Sequence, residues 1–306
     1  MSELEQLLYR VGIPEEKATA LRERGIYSVE GLLMLTPSEI SQALGISKDK
    51  ALELLNEARR RSSITLESPA DYFLRTLRAD WFTTGCTGID RILGGGIRVG
   101  RITEFVGEAG VGKTQIAHQL CVTVQLPRDQ GGLESGAIYL DSEGSFRPER
   151  IAQISKRFKV PPHRALKRIL HAKARSFAQQ YSLVLRAKEF AGDCYRLLIV
   201  DPITSLLRRE YPHDIVRRQQ ALARLLHELR TLASKGVSVI ITNTVISDPV
   251  TGELRPAGGL VLEQAVDTRV FLSRKNDVRI AEVVFSVDAP TGRTRFRITR
   301  EGVVDA

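Results

Sequence analysis

The residues best placed to do chemistry in this 306-residue chain lie between positions 101 and 150. Gly107-Glu108-Ala109-Gly110-Val111-Gly112-Lys113-Thr114 has the spacing G-x-x-x-x-G-K-T, between an apolar stretch at 102–106 that reads as a strand and a helical pattern that starts near Lys113. Glycines allow a tight turn that brings several backbone N–H donors onto phosphate oxygens, and the helix start adds the positive end of its dipole. Lys113 is expected to reach the β- and γ-phosphates of a nucleotide, and the Thr114 hydroxyl to sit on Mg²⁺. The alternative is a glycine-rich surface turn matching by accident; strand, loop, lysine and hydroxyl all speak against it.

Two carboxylates belong with this loop. Asp201 closes the apolar run Leu197-Leu-Ile-Val-Asp201, which places it at a strand end where it would hold Mg²⁺ with Thr114, directly or through water. Glu143 follows Ile138-Tyr-Leu-Asp141-Ser142, and a carboxylate there could orient and deprotonate a water attacking the γ-phosphate. The competing reading of Glu143 is an acid stabilised by the dipole of the helix that follows.

Positioning these groups requires a sheet. Strand patterns fall at 137–141, 197–201, 238–243, 268–273, 281–287 and 294–299, and helical patterns at 114–124, 148–158, 176–191 and 213–235. Strand and helix alternate first and then strand follows strand, which predicts an α/β fold with a mainly parallel centre and an antiparallel flank. Ligands of such sheets bind at the carboxyl ends of the strands.

Residues 1–61 read as a separate all-helical module, with helices at 15–23, 29–35, 37–43 and 48–59. Thr36 is the expected N-cap ahead of Pro37, and Ser47 starts the last helix. Leu44-Gly45-Ile46-Ser47-Lys48 resembles a helix-hairpin-helix turn, whose outward N–H groups grip a phosphate without reading a base. Gly45 and Lys48 are therefore candidate DNA contacts, against the alternative of a helical protein-interaction bundle. Residues 62–79 are expected to form a linker, whose start, Ser62 to Pro69, lacks helical periodicity and looks extended. Leu66, Ala70, Tyr72, Phe73 and Trp81 could anchor it on a neighbour's sheet edge or on its own domain. An ATPase core then occupies 80–306.

Composition narrows the function classes. A net charge of +9, from 45 Lys and Arg against 36 Asp and Glu, favours a polyanionic partner. No apolar run approaches the roughly 18 residues of a membrane span, and Met1-Ser-Glu-Leu-Glu-Gln is acidic where a secretory signal would be basic and then apolar, so a soluble intracellular protein with no membrane partner is expected. Cys86, Cys121 and Cys194 form no C-x-x-C pair, which argues for free thiols. The basic run 156–175 reads as a solvated face that could track phosphates.

Several motifs together carry a family resemblance. They are Phe82-Thr-Thr-Gly85-Cys-Thr-Gly-Ile-Asp90 with Leu93-Gly-Gly-Gly96, Gly107 to Gln115, Val124-Gln-Leu-Pro127 with Gly131-Gly-Leu-Glu134, and Asp141-Ser-Glu-Gly-Ser-Phe-Arg-Pro-Glu-Arg150. In these the chain resembles the RecA/RadA recombinases, most closely the archaeal RadA and eukaryotic recombinase branch, whose members also begin with a helix-hairpin-helix domain. The resemblance implies a RecA-like P-loop core and a DNA-dependent ATPase of homologous recombination and repair. Such a protein forms an ATP-dependent filament on single-stranded DNA and pairs it with a homologous duplex. By motif, Gly107 to Gln115 hold the nucleotide, Glu143 is the catalytic carboxylate, Asp201 is the metal-side acid and Arg150 packs on adenine. Asp288-Ala-Pro290 matches the segment that caps the ATP of a neighbouring subunit. The implied partners are DNA, single- and double-stranded, and further copies of the chain or another recombinase. The implied location is the nucleoid in a prokaryote or archaeon and the nucleus in a eukaryote.

The chain also departs from that pattern. The first DNA loop, 210–218, lacks the family's Gly-Arg-Gly and leaves Arg217 and Arg218 with Gln219-Gln220 as contacts; the second, 245–259, holds Arg255 as its basic residue. Asn243-Thr244 stands where the family has Asn-Gln sensing the γ-phosphate, and a hydroxyl reaches less far than an amide. No Phe stands at the usual offset before Ala70 for the Phe-x-x-Ala motif that joins subunits. These departures open a second reading, a recombinase paralogue that uses ATP as an assembly switch and supports another recombinase's filament. A signalling or helicase-like NTPase on the same fold is a third, disfavoured by the N-terminal module.

Overall fold

The computed structural model describes residues 3–61, 68–69, 80–192, 194–247 and 252–306. The chain divides into two compact units, Met1–Arg75 and Thr76–Ala306. Most of the expected linker, with Leu66, Ala70, Tyr72 and Phe73 and the offset of the Phe-x-x-Ala motif, lies outside the described residues.

The first unit consists of α1 (Glu3–Arg10), α2 (Ala18–Glu23), α3 (Val29–Leu32), α4 (Pro37–Leu44) and α5 (Lys48–Arg61) around a core that includes Leu4, Leu8, Leu21, Leu32, Ile40 and Leu54. Thr36 caps α4 in a reciprocal box, accepting from Glu39 N while the Glu39 carboxylate accepts from Thr36 N at 2.7 Å. Gly45 ends α4 in the left-handed region at φ +58°, where a side chain would be strained, and Ser47 Oγ accepts from Lys50 N at 3.2 Å to start α5. Helix α1 was not among the sequence expectations. Its eight residues bury Leu4, Leu7 and Leu8 on one side, a period too brief to stand out before its packing partners are known.

The second unit is built on a nine-stranded sheet in the order β13-β12-β11-β10-β3-β7-β6-β4-β5. A short pair, β1 (Trp81–Phe82) and β2 (Ile97–Arg98), brackets α6 (Thr87–Ile92) ahead of it. β3 (Ile102–Gly107), β4 (Gly136–Asp141), β5 (Ile169–Lys173), β6 (Tyr195–Asp201), β7 (Ser238–Asn243) and β10 (Thr268–Lys275) are mutually parallel. β11 (Val278–Ser286), β12 (Gly292–Thr299) and β13 (Gly302–Asp305) add the antiparallel flank. This is the mixed α/β sheet that the strand pattern predicts.

Alternation along the central strands feeds two cores. Leu197 and Ile199 of β6 with Ile240 of β7 face one, together with α7 (Lys113–Thr123) and α8 (Pro148–Arg157). Leu198 and Val200 with Val239 and Ile241 face the other, against α10 (Phe177–Phe190), α11 (Ser205–Glu210) and α12 (Ile215–Ser234). Burial on both faces explains why these strands read as unbroken apolar runs. The basic run 156–175 does not stay a solvated face throughout: it contains α9 (Pro162–Lys167) and then the edge strand β5. With a neighbour on only one side, β5 is half-exposed and tolerates His171 and Lys173, and those charges hide its period from the sequence.

Candidate functional site

Parallel register brings the carboxyl ends of β3, β4, β6 and β7 to one edge. Asp141 stands opposite Asp201, Val200 opposite Ile241, and Val106 opposite Asn243. The loop from Gly107 to Gly112 leaves β3 there and enters α7 at Lys113. A side chain could not replace its glycines: a Cβ on Gly107 would stand 2.2 Å from Leu272 O, and one on Gly112, at φ +114°, would stand 2.8 Å from Ile298 Cδ1. Lys113 Nζ donates to the Gly107 and Glu108 carbonyls at 2.7 Å each, which holds the ammonium over the loop. Burial lowers its pKa, an effect that Asp201, Glu143 and Glu108 oppose.

Asp201 is 3% exposed and accepts hydroxyl hydrogens from four directions: Thr114 at 2.9 Å, Ser145 at 3.2 Å, Tyr139 and Thr242. The Tyr139 phenol is held well above its ordinary pKa by burial and by this carboxylate, so it remains a donor. Thr114 and Asp201 thus present two adjacent hard oxygen atoms, one neutral and one anionic. That donor set fits Mg²⁺, which keeps most of its waters and shares phosphate oxygens, rather than a closed protein cage.

Glu143 rides on the segment 142–147 that follows β4. Asp141 collects four consecutive N–H donors from it: Glu143, Gly144 and Ser145 to Oδ1 at 3.1, 2.7 and 3.1 Å, and Phe146 to Oδ2 at 3.1 Å. The next donor, Arg147 N, reaches Nε2 of buried His118 on α7 at 3.1 Å. Burial alone would raise the Asp141 pKa, but the four N–H donors outweigh it and hold the carboxylate below its ordinary range. Burial pushes His118 down to about 4, so the ring is neutral and free to accept. Two side chains thereby fix five successive backbone groups beside the phosphate loop. Glu143 itself is raised by partial desolvation and then by Asp201, with Lys113 opposing, which moves it toward the working range of a general base.

Beyond the loop lies a cavity of about 490 Å³ lined by Gly110, Gly112 to Gln115, Arg150, Arg279, Ile298 and Thr299. Arg150 is clamped there, its Nε on Gln115 Oε1 and its terminal nitrogens on Gln153 Oε1 and the carbonyls of Arg300 and Thr299. Arg279 on β11 had no motif to announce it. Its signal, a lone Arg two residues past a turn, is indistinguishable in sequence from the solvated arginines around it.

The other expected contacts lie elsewhere. Asp288, followed by Ala289 and Pro290, comes after β11 beside the amino end of β3, where Arg101 forks onto its carboxylate at 3.1 and 3.3 Å. Within one chain this segment is a full strand length from the phosphate loop. Arg217 and Arg218 open α12, whose N-cap Asp214 accepts from Arg217 N at 2.9 Å; Arg218 also donates to Tyr211 O. The second loop begins as a hairpin of β8 (Val245–Ser247) and β9 (Leu254–Pro256), which places Arg255 next to Glu253. Asn243 clasps its base, donating to Ala257 O at 2.6 Å while its Oδ1 accepts from Thr244 N at 2.9 Å. Gly45 and Lys48 are exposed in the first unit.

A family model described as Rad51 matches residues 78–306. The chain is similar to the DNA repair and recombination protein RadA of Aeropyrum pernix, 38% identical over 302 residues that cover 96% of this chain and 95% of that protein. It is also similar to the meiotic recombination protein DMC1 homolog B of Oryza sativa subsp. japonica, 36% identical over 305 residues, with 96% of this chain and 89% of the relative covered. The DMC1 homolog of Arabidopsis thaliana matches at the same 36%, with the same coverage.

Proposed function

Because the chain belongs to the Rad51 family of RecA/RadA recombinases, we propose that it is a DNA-dependent ATPase of homologous recombination and repair that assembles on single-stranded DNA and pairs it with a homologous duplex. The observation that carries the ATPase reading is the convergence of Lys113, Thr114, Asp201 and the clamped Glu143 on one strand edge. The loop N–H groups and Lys113 bind the outer phosphates of ATP. Thr114 and Asp201 would hold Mg²⁺, which would supply positive charge to neutralise the phosphate oxygens. Glu143 orients the attacking water and takes its proton, and the flat face of Arg150 supports adenine.

The DNA contacts assigned to this reading are Arg217, Arg218 and Arg255 on the two loops, with Gly45 and Lys48 in the helical module 1–61. That module is proposed to act as a helix-hairpin-helix domain joined through 62–79 to the core 80–306. Asp288 and Pro290 are assigned to the nucleotide of an adjoining copy, because they stand at the opposite strand end from their own phosphate loop. Among the described residues no helix is long and apolar enough to cross a membrane. The mediator reading is not favoured, since the chain aligns over 96% of its length with relatives that are themselves named for recombination.

The test is ATP turnover with and without single-stranded DNA, together with electron microscopy of the same mixtures and strand exchange by the purified protein alone. Continuous filaments, DNA-dependent turnover and exchange are expected. Turnover indifferent to DNA and no exchange would return the mediator reading.

A further inference from the structure

The two arginines that wall the nucleotide cavity differ in what they have left to give. A guanidinium carries five N–H donors in one plane. Arg150 uses four of them on Gln115, Gln153, Arg300 and Thr299, at 2.7 to 3.1 Å. What remains available to a ligand is its face and a single N–H. Arg279 makes one long contact, 3.4 Å to Asp277 O, and its Nε is buried with no hydrogen-bond partner among the described residues.

That orphan donor sits in an unfavourable field. Arg274 stands directly opposite on β10, while Asp277 is the acid that counters it. Partial burial, and then Arg274, lower the Arg279 pKa. Its Cδ would lie 3.6 Å from a Cβ on Gly112, and Ile298 flanks the same glycine. A half-buried cation with an unsatisfied donor beside a phosphate loop is relieved most by a full negative charge, since a nucleobase edge offers only neutral acceptors.

The geometry points to Arg279 as a further nucleotide-binding residue, donating to the phosphate nearest the nucleoside while Lys113 and the loop amides hold the outer ones. This rests on the reading of Gly107 to Thr114 as a nucleotide cradle. It divides the cavity between one arginine that presents a face and one that presents donors.

Displacement of a fluorescent ADP derivative from the full chain by ADP, AMP and adenosine tests it, in the wild type, Arg279→Ala, Arg279→Lys and Lys113→Ala. Arg279→Ala is expected to weaken ADP and AMP by about 10-fold or more, the loss of one charge-assisted hydrogen bond, and to leave adenosine unchanged. Arg279→Lys recovers part of the loss, because the ammonium keeps the charge and lacks the fork. Thermal unfolding without nucleotide checks that each variant is folded, and Arg279→Lys carries the test if the alanine variant is not. Unchanged ADP affinity in Arg279→Ala, or an equal loss for adenosine, overturns the assignment. Loss in Lys113→Ala alone sinks only the role of Arg279, whereas no loss in either variant removes the cradle reading as well.

Discussion

Two regions at the same edge of the sheet handle their polar groups in opposite ways. Around the phosphate loop, the acceptors that set the geometry are already engaged: Asp201 accepts four hydroxyls, Asp141 four backbone N–H groups, and His118 a fifth. At the start of α12, on the connection after β6, the side chains face outward instead. Ile215 and Val216 are 61% and 69% exposed, and Arg217 beside them is exposed as well. Bond-breaking chemistry needs groups already fixed where charge develops, so that nothing reorganises during the step. Gripping a phosphate backbone needs mainly charge within reach, and it tolerates loose side chains.

The largest expected break in that contrast comes from Glu143→Gln. Turnover should fall about 10²–10⁴-fold, the usual worth of a general base, with nucleotide affinity retained; unchanged turnover would remove Glu143 from the mechanism. Because the Glu143 pKa is raised, the carboxylate takes up its proton sooner as pH falls. The acid limb of the wild-type pH–rate profile should therefore lie above the ordinary carboxylate range and vanish in the glutamine variant.

Asp141→Asn probes the clamp itself. An amide keeps one acceptor oxygen where the carboxylate has two, so at least one of the four N–H groups loses its partner. The loop would shift with Glu143 still present, and kcat should drop roughly 10-fold or more, in line with the cost of about 1 Å of misplacement. Nucleotide affinity should stay within about 2-fold, since no phosphate contact is touched. Equal losses in affinity and turnover would mean the clamp supports the whole site rather than Glu143.

The exposed loops should respond differently. Replacing Arg217 and Arg218 by alanine is expected to weaken single-stranded DNA binding and to flatten its logarithmic salt slope by about 0.7 for each phosphate left without its arginine, while DNA-free turnover is unchanged. A weakening independent of salt would place these arginines in folding rather than in phosphate binding. Smallest of all is Thr36→Ala in the helical unit, which removes a capping box and should cost about 1 kcal/mol of that unit's stability. Denaturant unfolding would show it, and turnover would not.

Much of the core was legible because its signals are local. The phosphate loop is a spacing of residue types, Asp201 and Glu143 follow apolar runs, and the central strands, buried on both faces, cannot hide their length. Thr36-Pro37 announced a helix start that the structure reproduces with its reciprocal hydrogen bonds. The edge strand β5 was lost among lysines and arginines, and β13 is only four residues long. Both owe their conformation to the neighbour that pairs with them.

The sequence by itself determined that a glycine-rich G-x-x-x-x-G-K-T turn between strand and helix leads a mixed α/β core, since glycine spacing and strand periodicity act over a few residues. Only the tertiary structure decided which groups satisfy one another. Tyr139 and Thr242 meet Asp201 because β4, β6 and β7 lie side by side, and Arg279 reaches Gly112 because β11 lies on the flank that folds back toward α7. The cost of burying a charge or a donor depends on partners brought together by strand order, and no local pattern records them.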